Sequence, residues 1–212
     1  MRKTIILTFL ISTALFSQSR FKNDSPFISG LVGAAKVNLS ANNGSNPLSF
    51  AFGGSFGIPI VKNLFLYTRS SYTSQSNFQS YYNASHLNNY LQTSNDFTEV
   101  NSSFSQLLIN GGLLYNFILS KEFLLGINGG LSFMVVNQEA KLKTGTVISS
   151  VDNENIWGAF GGIILEKTWE DSDFSTFFEA QYNYAKSDAV YRTNALSTMN
   201  YTFGVRYYLA SR

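Results

Sequence analysis

Between residues 198 and 209 every second side chain is large and apolar or aromatic, as at Met199, Tyr201, Phe203, Val205, Tyr207 and Leu209. The residues between them, among them Thr198, Asn200, Thr202, Gly204 and Arg206, are mostly small, amide-bearing or charged; Tyr208 is the exception in size. A period of two puts successive side chains on opposite faces of a strand, so this segment has two faces in different surroundings. Seven more stretches follow the same rhythm, at residues 27–39, 48–60, 64–74, 104–119, 123–138, 155–168 and 174–186. A chain made of such segments must pair the edges of its sheet as well as cover its apolar face.

In most stretches the large side chains share one parity. Leu48, Phe50, Phe52, Phe56 and Ile58 oppose Ser49, Ala51, Gly53, Ser55 and Gly57. Leu107, Ile109, Leu113, Tyr115 and Phe117 oppose Gln106, Asn110, Gly112 and Asn116, and Phe174, Phe178, Tyr182 and Tyr184 oppose Ser175, Glu179, Gln181 and Asn183. In the first stretch Phe27, Leu31, Val37 and Leu39 are expected outside, opposite Gly30, Lys36 and Asn38. The third is expected to turn Arg69, Ser71 and Thr73 inward. The sixth is apolar on both faces and is oriented by Glu166 pointing inward.

The connections alternate in length. Residues 59–63, 120–122 and 169–173 are short links; 40–47, 76–102, 139–153 and 187–195 are long and rich in Asn, Ser and Thr. The chain begins with Met1-Arg2-Lys3, a short apolar run over residues 4–16, and the small and polar Ser17-Gln18-Ser19, the layout of a secretory signal peptide. Residues 1–19 are therefore read as a signal, 20–26 as a periplasmic N-terminal segment, and 27–212 as one β-domain. Removing the signal takes away Arg2 and Lys3 and leaves thirteen basic residues against thirteen acidic ones. A nearly neutral chain does not suit a nucleic-acid partner, which selects clustered basic residues. No later segment reaches the roughly twenty apolar residues of a spanning helix.

Eight two-faced strands, short links at one end, long ones at the other and an export signal together point to an all-β, eight-stranded, antiparallel up-and-down transmembrane barrel. Open sheet edges in hydrocarbon would cost several kcal/mol for each unpaired backbone group, so the sheet must close. The chain resembles the small eight-stranded outer-membrane barrel family, the OmpA/OmpX type, over residues 27–209. The resemblance rests on strand number, loop asymmetry and the last strand, Tyr201-Thr202-Phe203-Gly204-Val205-Arg206-Tyr207-Tyr208-Leu209. It implies a bacterial outer-membrane location with both termini periplasmic. It also implies insertion by the barrel-assembly machinery and contact with outer-membrane lipid and lipopolysaccharide. Family members usually end on an aromatic residue, whereas Ala210-Ser211-Arg212 follow Leu209 here.

Eight strands enclose a lumen just wide enough for side chains to fill. Arg69, Glu166, Glu179 and Arg206, with Lys36 higher up, form the expected lumen charge cluster, a structural plug in which Arg206 pairs with Glu179 on the adjacent strand. Phe78, Tyr81, Tyr82 and His86 make a candidate recognition loop, because Tyr among Ser and Asn makes adaptable surface contacts. These features predict a non-enzymatic barrel that acts structurally or through an extracellular partner met by its long loops.

Two alternatives have different signatures. A lipid-active enzyme needs a nucleophile, a base and an orienting acid. The single histidine, His86, adjoins Ser85 in a Ser/Asn-rich segment with Asp96 and Glu99 nearby, and a solvated loop histidine is the simpler account. One histidine and no cysteine likewise offer no metal site or cofactor ligation. A soluble periplasmic calycin-like barrel binding a small apolar ligand would turn the large side chains inward and the polar face to water. Charged residues are only 13% of the chain, about half the soluble average of roughly 25%, which is too few for that coat.

Overall fold

The computed structural model describes residues 24–39, 48–83, 97–142, 144–169, 172–186 and 196–209. Eight antiparallel strands run through them in chain order: β1 (Phe27–Leu39), β2 (Leu48–Val61), β3 (Leu64–Asn83), β4 (Phe97–Ile118), β5 (Phe123–Leu142), β6 (Val147–Thr168), β7 (Phe174–Ala185) and β8 (Leu196–Tyr208). Each pairs with its successor, and β1 pairs with β8 from Phe27↔Tyr208 to Leu39↔Leu196, so the sheet closes into a barrel. The Leu209 N–H donates to the Pro26 carbonyl at 2.7 Å, tying the first and last described segments together at one end. The residues assigned to a signal and to the start of the N-terminal segment, 1–23, lie outside the described residues.

The short links are at that same end. Asn63 closes the β2–β3 turn with φ at 66°, a left-handed conformation that Asn tolerates better than most residues. Between β4 and β5 the Ser120 hydroxyl accepts from the Glu122 and Phe123 N–H groups at 3.2 and 3.1 Å. At the opposite end the strands are unequal. β3 to β6 are 20 to 22 residues long, whereas β1, β2, β7 and β8 are 12 to 14. Pairing of β2 with β3 stops at Phe50↔Ser74, and pairing of β6 with β7 begins at Gly158↔Ala185. The four middle strands therefore rise past the rim as a sheet, with β5 and β6 joined by residues 143–146 alone.

This corrects two expected loops. Residues 139–153 are mostly strand, and of 76–102 the parts up to Asn83 and from Phe97 are strand. In these stretches Ser, Asn and charged residues replace the large outward side chains, so apolar–polar alternation fades although the backbone continues extended.

In β2 to β8 the side chains expected outside do face out, although β3 to β7 also turn large apolar residues such as Phe65, Leu108, Met134, Phe160 and Phe177 inward. Phe50, Leu131, Trp157, Ile163 and Phe203 are each more than half exposed. In β1 the faces are the other way round. Phe27, Leu31 and Val37 are buried inside, while Ile28, Val32 and Lys36 face out. Both faces of β1 carry apolar residues, so the sequence contrast there is weak. The barrel interior also makes room for Phe27: a Cβ at Gly57 would lie 2.3 Å from its ring.

The interior is layered. Nearest the short turns, Phe27, Leu31, Phe65, Tyr67, Leu114, Phe160, Ile164, Phe177 and Tyr208 form one apolar cluster. Toward the raised sheet, Val37, Phe104, Leu108, Met134, Val136, Ile156, Ala185 and Leu196 form another. Buried amides, hydroxyls and charges lie between and among them.

Candidate functional site

The inward parity of β3, β6, β7 and β8 brings four ionisable side chains into the lumen: Arg69, Glu166, Glu179 and Arg206, all buried. They form two ion pairs on two levels. Nearer the short turns, Arg206 Nη1 of β8 donates to Glu166 Oε2 of β6, over the intervening β7. The same carboxylate accepts from the Tyr208 and Ser175 hydroxyls at Oε1. The Arg206 guanidinium lies 3.9 Å from the centroid of the Phe27 ring and 5.1 Å from that of Phe177. A weakly hydrated planar cation between aromatic faces is well suited to such a site.

On the second level Arg69 Nη1 lies 3.3 Å from Glu179 Oε2. Glu179 Oε1 accepts from Asn128 Nδ2 at 2.7 Å and from the Tyr67 hydroxyl at 3.2 Å. Arg69 also donates to Gln181 Oε1, which accepts from Asn110 Nδ2 at 3.2 Å as well. A further step up, the Thr198 hydroxyl donates to Gln106 Oε1 at 3.0 Å, and Gln106 Nε2 lies 3.3 Å from Met134 Sδ, where the upper apolar layer starts.

Two expectations for this cluster are corrected. Arg206 pairs with Glu166, and Glu179 with Arg69. In the β7–β8 register Arg206 stands opposite Ser175 and Glu179 opposite Thr202, which separates the two by a level. Lys36 is no part of the lumen, because the reversed parity of β1 turns it outward and exposes it. Sequence reading also passed over Tyr67, Tyr208, Asn128 and Ser175 as partners of the charges. Tyr67 shares a parity with Arg69, and Tyr208 with Arg206, and that shared parity is the signal that would have found them.

Of the candidate recognition loop, Phe78, Tyr81 and Tyr82 belong to β3, paired with Ser102, Glu99 and Thr98 of β4. His86 lies outside the described residues. Among the described residues no group of three or more His, Cys, Asp or Glu could hold a metal ion.

No protein-family model matches the chain, and no curated protein matches it. Solved structures do. Ail, the attachment invasion locus protein of Yersinia pestis, in complex with the heparin analogue sucrose octasulfate, is 12% identical, with a TM-score of 0.50 over 86% of this chain and 96% of that one. The chain has the fold of a small outer-membrane β-barrel. Neisserial surface protein A is 14% identical over the same shares of the two chains, with a TM-score of 0.48. OprG from Pseudomonas aeruginosa is 10% identical over 90% of this chain and 98% of that one, with a TM-score of 0.41.

Proposed function

We propose that this protein is a non-enzymatic bacterial outer-membrane barrel with a plugged lumen, acting at the cell surface through the raised β3–β6 sheet. The observation that carries the reading is the outward face. Leu66, Ile109, Leu113, Ile127, Leu131, Ile163, Val205 and many others are exposed around a closed barrel. An apolar surface so extensive is an interaction surface, and on a closed barrel of this size a bilayer is its natural cover. It is the reverse of a soluble calycin-like barrel, whose large side chains would line a ligand cavity. Exposed aromatics add to the reading: Phe117, Phe123, Trp169 and Phe174 toward the short turns, and Tyr72, Trp157, Tyr184 and Tyr201 toward the other rim. Interfacial girdles have this arrangement. Phe27 and Phe65, near the same rim as the first four, are no part of this girdle, because both are buried inside.

The plug is supported by the large side chains that pack through the lumen, two apolar clusters and two ion pairs among buried amides and hydroxyls, since the interior of an eight-stranded barrel is just wide enough for side chains to fill. The surface role is supported by strand length. A spanning strand needs about 9–11 residues, so roughly half of each of β3 to β6 is left to stand above the membrane. The non-enzymatic reading rests on the sequence, in which the one histidine, His86, adjoins Ser85 in a Ser/Asn-rich segment that a solvated loop explains more simply. In this reading the raised end is extracellular and both chain ends are periplasmic.

The test is made on protein extracted from the outer-membrane fraction. The unboiled protein is expected to migrate faster on a detergent gel than the boiled protein, and to give no steady current in planar bilayers. Recovery in the soluble periplasmic extract would overturn the membrane reading. A persistent open-channel current would overturn the plug while leaving the barrel intact.

A further inference from the structure

We infer that the outer face of β3 to β6, just beyond the apolar band, is a binding recess for an uncharged, hydroxyl-rich glycosyl group. The inference rests on the membrane placement proposed above. Cross-strand register locates the recess. Tyr72, Leu107 and Val135 are outward partners in one row, the last apolar one, and Trp157 packs on Phe133 just below with ring centroids 5.0 Å apart. The next outward row is Ser74, Ser105 and Asn137, and the following one Ser103, Glu139 and Ser150.

The outward surface thus changes within one row from large apolar side chains to side chains hardly longer than Cβ. Short serines between Tyr72 on one side and Glu139 with Asp152 on the other leave a hollow of about 400 Å³. That is a volume suited to a small ligand. Its position is where a lipid packed on the apolar band would carry its headgroup.

The lining chemistry sets the ligand class. Serine hydroxyls both donate and accept, and carboxylates accept from hydroxyl groups. The Asn137 side-chain oxygen already accepts from the Asn153 N–H at 2.7 Å, which leaves its NH₂ group as the donor it offers. Tyr72 adds a half-exposed ring against which a sugar face can lie. None of the described lining residues is a cation, and Lys141, beside the rim, is already paired with Glu139 at 2.9 Å. A phosphate or sulfate group would meet the carboxylates of Glu139 and Asp152 with only Lys141, already engaged by Glu139, to offset them, so an anionic headgroup is disfavoured. A neutral sugar matches both the donors and the acceptors.

The sugar has two sources, a glycolipid in the same leaflet or a soluble glycan, and the experiment separates them. The full-length folded protein is placed in phosphatidylcholine nanodiscs, and its backbone amide NMR shifts are followed. One arm adds monogalactosyl diacylglycerol to the bilayer, one adds free lactose, and a control adds phosphatidylglycerol. Shifts confined to residues near 74–76, 103–105, 137–139 and 150–152 are expected with the glycolipid, the lactose or both, and weaker or none with phosphatidylglycerol. Response to the glycolipid alone assigns a membrane source, and response to lactose alone a soluble one. Ser105→Phe, which fills the recess from an outward position, is expected to weaken the effect by about tenfold or more. Its heat-dependent gel shift checks that it still folds.

No local shift in either sugar arm, equal shifts with the anionic lipid, or an unaltered response in Ser105→Phe would overturn the inference. Quenching of the tryptophans by brominated lipid keeps this failure separate from that of the membrane reading. Without quenching the membrane placement itself fails; with quenching and no sugar response only the recess does.

Discussion

Arg206 and Glu166 form one of the two buried ion pairs among the described residues. Both are fully buried, and each brings into the interior a charge that is expensive to leave unpaired. Glu166→Gln keeps the shape of the side chain and removes its charge, leaving Arg206 against Phe27, Phe177 and the Tyr208 hydroxyl. A loss of about 3–5 kcal/mol is expected, read as a lower urea midpoint for unfolding in detergent. Replacing the pair together, Glu166→Gln with Arg206→Met, should recover most of that loss, because no lone charge remains. A single variant as stable as the parent protein would show that the pair contributes little. That charges lie inside was legible from the parity of Arg206 with Asn200 and Thr202. Their partners were not, because which carboxylate an arginine meets across a barrel depends on strand stagger. The sequence also placed Phe27 outside. Nothing local marks Gly57 as the residue that makes space for it, since Gly57 comes close only through the β1–β2 pairing.

The strands themselves were largely legible wherever one face meets an apolar phase and the other a polar one. β2, β7 and β8 match their expected spans to within a residue or two, and the parity of each is clear. Where that contrast ends, legibility ends too. The upper halves of β3, β4 and β6 are rich in Ser and Asn, and such a composition reads as loop. They also carry register shifts between Gln75 and Phe78, and between Val136 and Gln138, which break the period of two. Asn153 with φ at 51° sits at the second of these. The raised halves lack the pairing with β2 and β7 that the barrel wall has among the described residues, so they should open more readily. Amide hydrogen exchange in detergent is expected to be at least about tenfold faster at residues 150–152 than at 160–164 of the same strand. Equal protection along β6 would mean that the raised sheet is covered or locked as firmly as the wall.

For the whole molecule, one arrangement accounts for closure, layering and asymmetry together. The seam between β1 and β8 removes the open edge; the outward apolar face then needs lipid, and the interior pairs its buried charges with one another and with amides and hydroxyls. The short turns and both described chain ends gather at one rim, while the four long strands leave the other. A barrel so built has one orientation relative to its membrane, and that is the central claim. The absence of cysteine from the chain makes it directly testable with single introduced thiols. Thr144→Cys, at the β5–β6 tip, and Ser120→Cys, at the β4–β5 turn, are each exposed in the fold. A membrane-impermeant maleimide is added to intact cells and then to cells with permeabilised outer membranes. Thr144→Cys is expected to label fully in intact cells, and Ser120→Cys only after permeabilisation. The opposite pattern, or equal labelling of both sites in intact cells, would contradict the account.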